Sequence, residues 1–428
     1  MQPHIFSSGD TIHPAPHNSS CQQKKICLKS RGEIPVYDIE KYGIYAIVPY
    51  GSGFPEIQMQ PEPDNIIHSR QWWCSNMKTS EEMFLEKIVH GFAEIVKDDD
   101  GSFRLFRVPC ALLPKLGARV NIRCYHPAGG ELRFRMKGTP VSFTLRRITE
   151  PDSKIHDATS VIPVGIYHGD YQYAWRMLND GDTKITVMPF PDASGILHRN
   201  RYRFNPDLTR IILPPFVEVR VIDWEGEMEP PQPEDVPSVQ LLSYGSSITQ
   251  GAYSVLGDGT YPAVLARELG VDVCNLGFGG GATLETEIAE WMVSRTDWHF
   301  ATLEMGINVF NLSPDEFRDR VRNFLAPFAA DPLKRTVFTL DMLPASSHFT
   351  PNEEMIQRAA AFNRIVSEET AATGNPGMIA LPYHSLLTRA ADYSTDILHP
   401  AAHAFEKIGC GLAEMIRKYQ LPILAGRG

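Results

Sequence analysis

Ser247 stands in Tyr244-Gly245-Ser246-Ser247-Ile248-Thr249, directly after the apolar run Val239–Tyr244. A serine there sits where the backbone leaves a strand and turns toward a helix, with its hydroxyl exposed and close to backbone N–H donors. An alcohol is a poor nucleophile at neutral pH unless a base removes its proton, so this reading requires a histidine and a group to orient it. Asp396-Ile397-Leu398-His399-Pro400 places a carboxylate three residues before an imidazole. A compact turn lets Asp396 hold Nδ1 of His399, which fixes the tautomer that leaves Nε2 free to take the serine proton.

Acyl transfer also needs donors aimed at the developing oxyanion, each typically worth ~3–4 kcal/mol of barrier. Two segments offer them. Asn275-Leu276-Gly277-Phe278-Gly279-Gly280-Gly281 brings glycine backbone N–H groups that can approach a substrate closely, and Glu304-Met305-Gly306-Ile307-Asn308 brings a side-chain amide. The chain order Ser, Asp, His also occurs in α/β-hydrolases, but their elbow is G-x-S-x-G, and position 249 here is Thr.

These residues must be held at the ends of strands. From residue 239 on, short apolar runs at Val239–Tyr244, Val271–Leu276, His299–Met305, Thr336–Leu340 and Met378–Pro382 alternate with helical or turn segments. Thr260-Tyr261-Pro262 opens one helix, which Gly270 stops; Ser313-Pro314-Asp315-Glu316-Phe317 opens another, and Pro400 leads into a helix containing Ala401–Tyr419. Alternating β and α segments predict a parallel sheet covered by helices on both faces, with ligands at the carboxyl ends of the strands. Before residue 225 the period is two. Leu132, Phe134 and Met136 alternate with Arg133, Arg135 and Lys137; Val141, Phe143 and Leu145 do the same, as do Val217, Val219 and Val221. Gly129-Gly130 supplies a turn, helical periodicity is scarce, and the pattern predicts an antiparallel β-sandwich. Four prolines and five acidic residues in 225–238 predict an exposed linker. The expected division is an irregular segment at 1–60, a sandwich at 61–224, the linker, and a catalytic domain at 239–428.

In these blocks the chain resembles the SGNH (GDSL-like) hydrolase family over roughly residues 239–428. The resemblance implies a flavodoxin-like three-layer α/β/α domain behind a jelly-roll-like sandwich, and no cofactor or metal. Carried over position by position, it implies Ser247 as nucleophile, Asp396 and His399 as its partners, and an oxyanion hole made of Gly280, Asn308 and the N–H of Ser247. The Asp of the G-D-S block is Ser246 here, its Leu is Ile248, and the acidic residue often found after the block-three asparagine is Val309. The expected activity is serine-dependent hydrolysis of a short acyl ester on a carbohydrate or another small hydroxylated compound. An acyltransferase using the same residues is the first alternative, and a non-catalytic carbohydrate-binding protein on the same shell is the second.

Net charge is −10 and no Lys/Arg-rich block occurs, which argues against nucleic acid and anionic membrane surfaces and for a small ester substrate. The first 35 residues hold no uninterrupted apolar stretch, so a cytoplasmic protein is expected. Seven scattered cysteines without a CxxC pair read as reduced thiols. Other polar features have plain readings: Asp341 as a strand-end cap, His168-Gly169-Asp170 with Tyr171 and Trp175 as loop structure, Trp72-Trp73 as packing, and His403 as a solvated helix residue.

Overall fold

The computed structural model describes residues 78–148, 162–190, 195–200, 202–349 and 351–425. The 1–60 segment, Trp72-Trp73, Cys21, Cys27 and Cys74 lie outside them. Strands β1 (Val89–His90), β2 (Glu94–Lys97), β3 (Phe103–Phe106), β4 (Glu131–Met136), β5 (Val141–Ile148), β6 (Ile162–His168), β7 (Tyr171–Leu178), β8 (Gly181–Val187), β9 (Leu208–Ile212), β10 (Glu218–Glu225) and β11 (Met228–Glu229) form two antiparallel sheets. Their orders are β1-β4-β9-β6-β7, with β11 on β4, and β2-β3-β10-β5-β8. Leu132, Phe134, Val141, Phe143, Leu145, Val219 and Val221 fill the space between the sheets, as period-two alternation requires.

Two readings of this half change. The alternation puts Arg133 on the side of β4 away from the sandwich core, and that side is not open: Arg133 is only 3% exposed, because the second domain covers it. The 225–238 segment is not a free linker: Met228 and Glu229 pair with Met136 and Arg135, and the fully buried Asp235 accepts from Arg135 Nη1 at 2.6 Å. A proline-rich acidic stretch docks when a half-buried arginine offers its carboxylate a partner. Helix α1 (Ser80–Ile88) and helix α2 (Ala118–Arg123) add helical structure that periodicity did not suggest. Val120 of α2, with Phe106, Val108, Leu116 and Cys124, joins one continuous core with Leu242, Leu276 and Phe278 of the following domain.

After the short helix α3 (Ile196–Arg199) and the sandwich, the elements are β12 (Gln240–Gly245), α4 (Ser247–Gln250), α5 (Tyr261–Leu269), β13 (Asp272–Gly277), α6 (Thr286–Ser294), β14 (Phe300–Glu304), α7 (Pro314–Ala329), β15 (Thr336–Leu340), α8 (Glu353–Ala372), β16 (Met378–Leu381) and α9 (Ala402–Arg417). The five strands are parallel in the order β13-β12-β14-β15-β16, the flavodoxin-like arrangement. Alternate strand residues feed two cores. Tyr244, Leu303 and Val337 pack with Met292, Phe324 and Phe362 of α6, α7 and α8 on one face. Leu241, Phe300 and Phe338 pack with Leu265 and Leu412 of α5 and α9 on the other. The helix signals act as read: Thr260 caps α5, which ends on Gly270 at φ 67°, and Ser313 and Glu316 close a reciprocal capping box on α7.

Because the chain leaves β12 toward β13 and then crosses back to β14, the carboxyl ends of β12 and β14 flank the point where the winding reverses. That crevice is where open α/β sheets bind ligands. Among the described residues no helix is long and apolar enough to cross a membrane. Of the four described cysteines, all free, Cys124 is buried and its thiol is pushed up by that burial to about 12, which removes thiolate chemistry at neutral pH.

Candidate active site

β12 ends at Gly245, and Ser246 turns the chain by accepting the Ile248 N–H on its hydroxyl at 3.1 Å. Ser247 is thereby the first residue of α4, a single turn closed by Gly251 at φ 104°. A helix's first N–H groups have no intrahelical acceptor, so the N–H of Ser247 is left as a donor at the strand end. The turn has no room for a larger residue at 245: a Cβ there would lie 2.1 Å from Thr249 Oγ1 and 2.5 Å from Glu304 Oε2. Gly245→Ala is expected to destabilise the protein by about 1–3 kcal/mol in urea unfolding and to lower activity with it.

The Ser247 hydroxyl lies 2.7 Å from His399 Nε2, and His399 Nδ1 lies 2.6 Å from Asp396 Oδ2. The other carboxylate oxygen accepts from the N–H groups of Leu398 (2.9 Å) and His399 (3.0 Å) and from the Ser394 hydroxyl (2.6 Å). The loop that presents this pair is tied shut by Ser394 N to His399 O and Ala401 N to Asp392 O. Its tip residue Ile397 takes a left-handed φ of 48°. Arg389 and Lys407 pin the buried Asp392 below it. Burial opposes ionisation of Asp396. The hydrogen bond and charge of His399, with the Ser394 hydroxyl, outweigh it and hold the carboxyl well below the usual carboxylate range. An imidazole touching a hydroxyl on one side and a carboxylate on the other is the arrangement that makes a serine nucleophilic.

The glycine loop and Asn308 reach the same crevice. Gly280 sits at φ 70° in a turn closed by Gly281 N to Phe278 O, and Asn308 follows Gly306, itself at φ 121°. Asn308 Oδ1 accepts the Ala282 N–H at 3.1 Å, which fixes the amide and leaves its N–H₂ end as a donor; among the described residues neither that group nor the Gly280 N–H has a protein acceptor. Two residues that sequence reading did not single out lock this loop to the serine turn. Gln250 Oε1 accepts Gly279 N at 2.7 Å, and Asn275 accepts Gly277 N and donates to Thr249 O, both at 2.8 Å. The Tyr253 ring, 5.5 Å from the imidazole, walls the other side. Arg119 of α2 packs over Gly280, where a Cβ would lie 3.0 Å from its Cδ, so the sandwich half contributes to the rim of the site.

Three of the residues set aside in the sequence have polar partners. Asp341 caps the turn after β16, accepting from His384 N at 2.7 Å and pairing with its Nδ1 at 2.5 Å. Asp170 accepts the N–H of Phe204 and pairs with Arg203, and His403 is exposed with Asp392 at 3.6 Å. Among the described residues no group of three His, Cys, Asp or Glu side chains could hold a metal ion.

Residues 239–416 match the model of the GDSL-like lipase/acylhydrolase family. Comparison with curated proteins gave no match. Among solved structures, the chain is similar to the salicylyl-acyltransferase SsfX3 from a tetracycline biosynthetic pathway, at 15% identity and a TM-score of 0.65 over 78% of this chain and 95% of that one. A protein from Bacteroides ovatus ATCC 8483 described as a GDSL-like lipase gives 17% and 0.60 over 79% and 96%. A family two carbohydrate esterase from Cellvibrio japonicus gives 11% and 0.52 over 80% and 96%. At these identities the likeness establishes the two-domain fold.

Proposed function

The chain carries, over residues 239–416, a domain of the GDSL-like lipase/acylhydrolase family, and from this premise we propose that it is a serine esterase acting on a short acyl ester of a carbohydrate or similar hydroxylated compound. Ser247 Oγ attacks the ester carbonyl while His399 Nε2 takes its proton, and Asp396 stabilises the imidazolium. The N–H groups of Ser247 and Gly280 and the amide of Asn308 hold the oxyanion. His399 then gives the proton to the leaving alkoxide, and a water activated by the same imidazole releases the acid and frees Ser247. The observation that carries this reading is the unbroken contact from hydroxyl to imidazole to carboxylate, at 2.7 and 2.6 Å. The carbohydrate esterase among the similar folds supports the hydroxylated substrate.

The test is hydrolysis of a p-nitrophenyl ester series from acetate to decanoate, with turnover peaking at acetate expected. An acyltransferase is the second reading, favoured by the fold shared with an acyltransferase, since an alcohol can replace water at the acyl-enzyme without changing a residue. It is preferred if Ser247 labels with a fluorophosphonate but no ester is hydrolysed until an alcohol acceptor is added. Inertness to the fluorophosphonate together with saturable sugar binding would favour a non-catalytic shell. Asn308→Ala is expected to lower kcat by about 10²–10³ with a smaller change in KM, since its donor acts on charge that develops in the transition state; steady-state kinetics on the acetate ester check this.

A further inference from the structure

Glu304, at the carboxyl end of β14, is 1% exposed and has no part in the reaction above. Its Oε2 accepts the Ser246 N–H at 2.7 Å and the Thr249 hydroxyl at 2.8 Å, and the Ser246 hydroxyl lies 2.9 and 2.8 Å from its two oxygens. The surrounding protons run inward. Ile248 N–H donates to Ser246 Oγ, leaving that hydroxyl's own proton for Glu304, and the Tyr261 hydroxyl, 2.7 Å from Thr249 Oγ1, does the same for Thr249. An ionised carboxylate only accepts, and three inward donors are the shell it needs.

Among the described residues no lysine or arginine forms an ion pair with this carboxylate. The phenols facing it, Tyr244 from β12, Tyr261 from α5 and Tyr383 after β16, are pushed up by burial, with the charge of Glu304 adding to the push, and are neutral. Burial pushes Glu304 up, and it stays above the ordinary carboxylate value although its hydrogen bonds with Ser246 and Thr249 and the charge of His399 pull it back down. His399, once it has taken the Ser247 proton, is thus a cation within its field. Asp396, the other carboxylate acting on that imidazole, has a side chain 36% exposed and screened by solvent; Glu304 is not screened.

We propose that Glu304 is a second carboxylate behind the catalytic base, a positioning residue that fixes the Ser247 turn through Ser246 and whose buried charge stabilises the imidazolium of His399. The proposal rests on the reading of Ser247 and His399 as nucleophile and base. Glu304→Gln keeps the shape, removes the charge and presents an N–H₂ to inward donors. It is expected to lower kcat/KM about tenfold or more and to move the acid limb of its pH profile down by about one unit, because a base that loses a neighbouring anion binds its proton less tightly. An acid limb that stays at the wild-type pH while kcat falls overturns the proposal and makes Glu304 structural. Should this variant not fold, the pair Ser246→Asp/Glu304→Ser and Ser246→Asn/Glu304→Ser differs only in charge across the same contact; the Asp version should hold the wild-type limb and the Asn version should fall about one unit below it, and coincident limbs overturn the proposal. Turnover that survives Ser247→Ala would instead overturn the reading of the site itself.

Discussion

Ser247→Ala is expected to lower kcat on p-nitrophenyl acetate by roughly 10⁴- to 10⁶-fold while leaving the unfolding midpoint nearly unchanged. Among the described residues the hydroxyl makes one hydrogen bond, to His399 Nε2, whereas the turn around it is built from other atoms: the Ser246 cap, and the Ser247 carbonyl accepting from Gly251 N at 3.0 Å and Ala252 N at 2.9 Å. Deleting the hydroxyl therefore removes the nucleophile and about 1 kcal/mol or less of stability. The residual rate should exceed that in water, because the donors around Gly280 and Asn308 still hold an oxyanion formed by direct attack of water. His399→Ala should fall as far, and the double variant no further, since nucleophile and base act as one unit. Turnover within tenfold of wild type in Ser247→Ala would place the chemistry elsewhere.

What could be read in the sequence divides by distance along the chain. The serine turn, the Asp-x-x-His pair and the glycine loop are each spelled by consecutive residues, because a strand end, a tight turn and a close backbone approach are local demands. The strands of the parallel sheet were legible for a similar reason. Burial on both faces makes a run such as Thr336–Leu340 uncharged and rich in β-branched and aromatic residues, and only its ends can slip, as where Val239–Tyr244 becomes Gln240–Gly245.

The residues that hold the site together were not legible, because they meet only once the chain has folded. Glu304 reaches Ser246 across 58 residues, and Gln250 reaches Gly279 across 29. Thr249 stood out in the sequence only as a departure from an elbow motif; in the fold it bridges Glu304 and Tyr261. The sandwich shows the same limit. Period two predicted which side of β4 Arg133 faces, but not that another domain lies there, and the composition of 225–238 carried no sign of Arg135, 100 residues from Asp235.

Arg133 joins the two halves through a buried ion pair, and Arg133→Ala is expected to destabilise the protein by about 3–5 kcal/mol in urea unfolding at pH 7. Its guanidinium grips Asp272 of β13 through Nη1 at 2.6 Å and Nη2 at 2.8 Å, while its Nε donates to Glu131 at 2.8 Å; Glu131 is shared with Arg210 at 2.6 Å. All four side chains are 7% exposed or less. Truncation leaves the Asp272 carboxylate in a buried site with only the Val273 N–H, at 2.8 Å, and His90, 3.4 Å away, and the penalty is mostly that of the poorly compensated charge. Arg133→Met with Asp272→Leu removes both charges and should recover most of the loss. The pH dependence has a definite sign. Burial raises the Asp272 carboxyl, Arg133 and His90 lower it further, and it ends at about 2 against an ordinary 3.8. Its contribution is therefore complete above pH 3.8 and is lost as pH falls from there through 2. The double variant should show a shallower loss of stability over that interval than wild type. If Arg133→Ala costs under about 1 kcal/mol, the domains are held by their shared apolar core, and the buried charges only set how that core is registered.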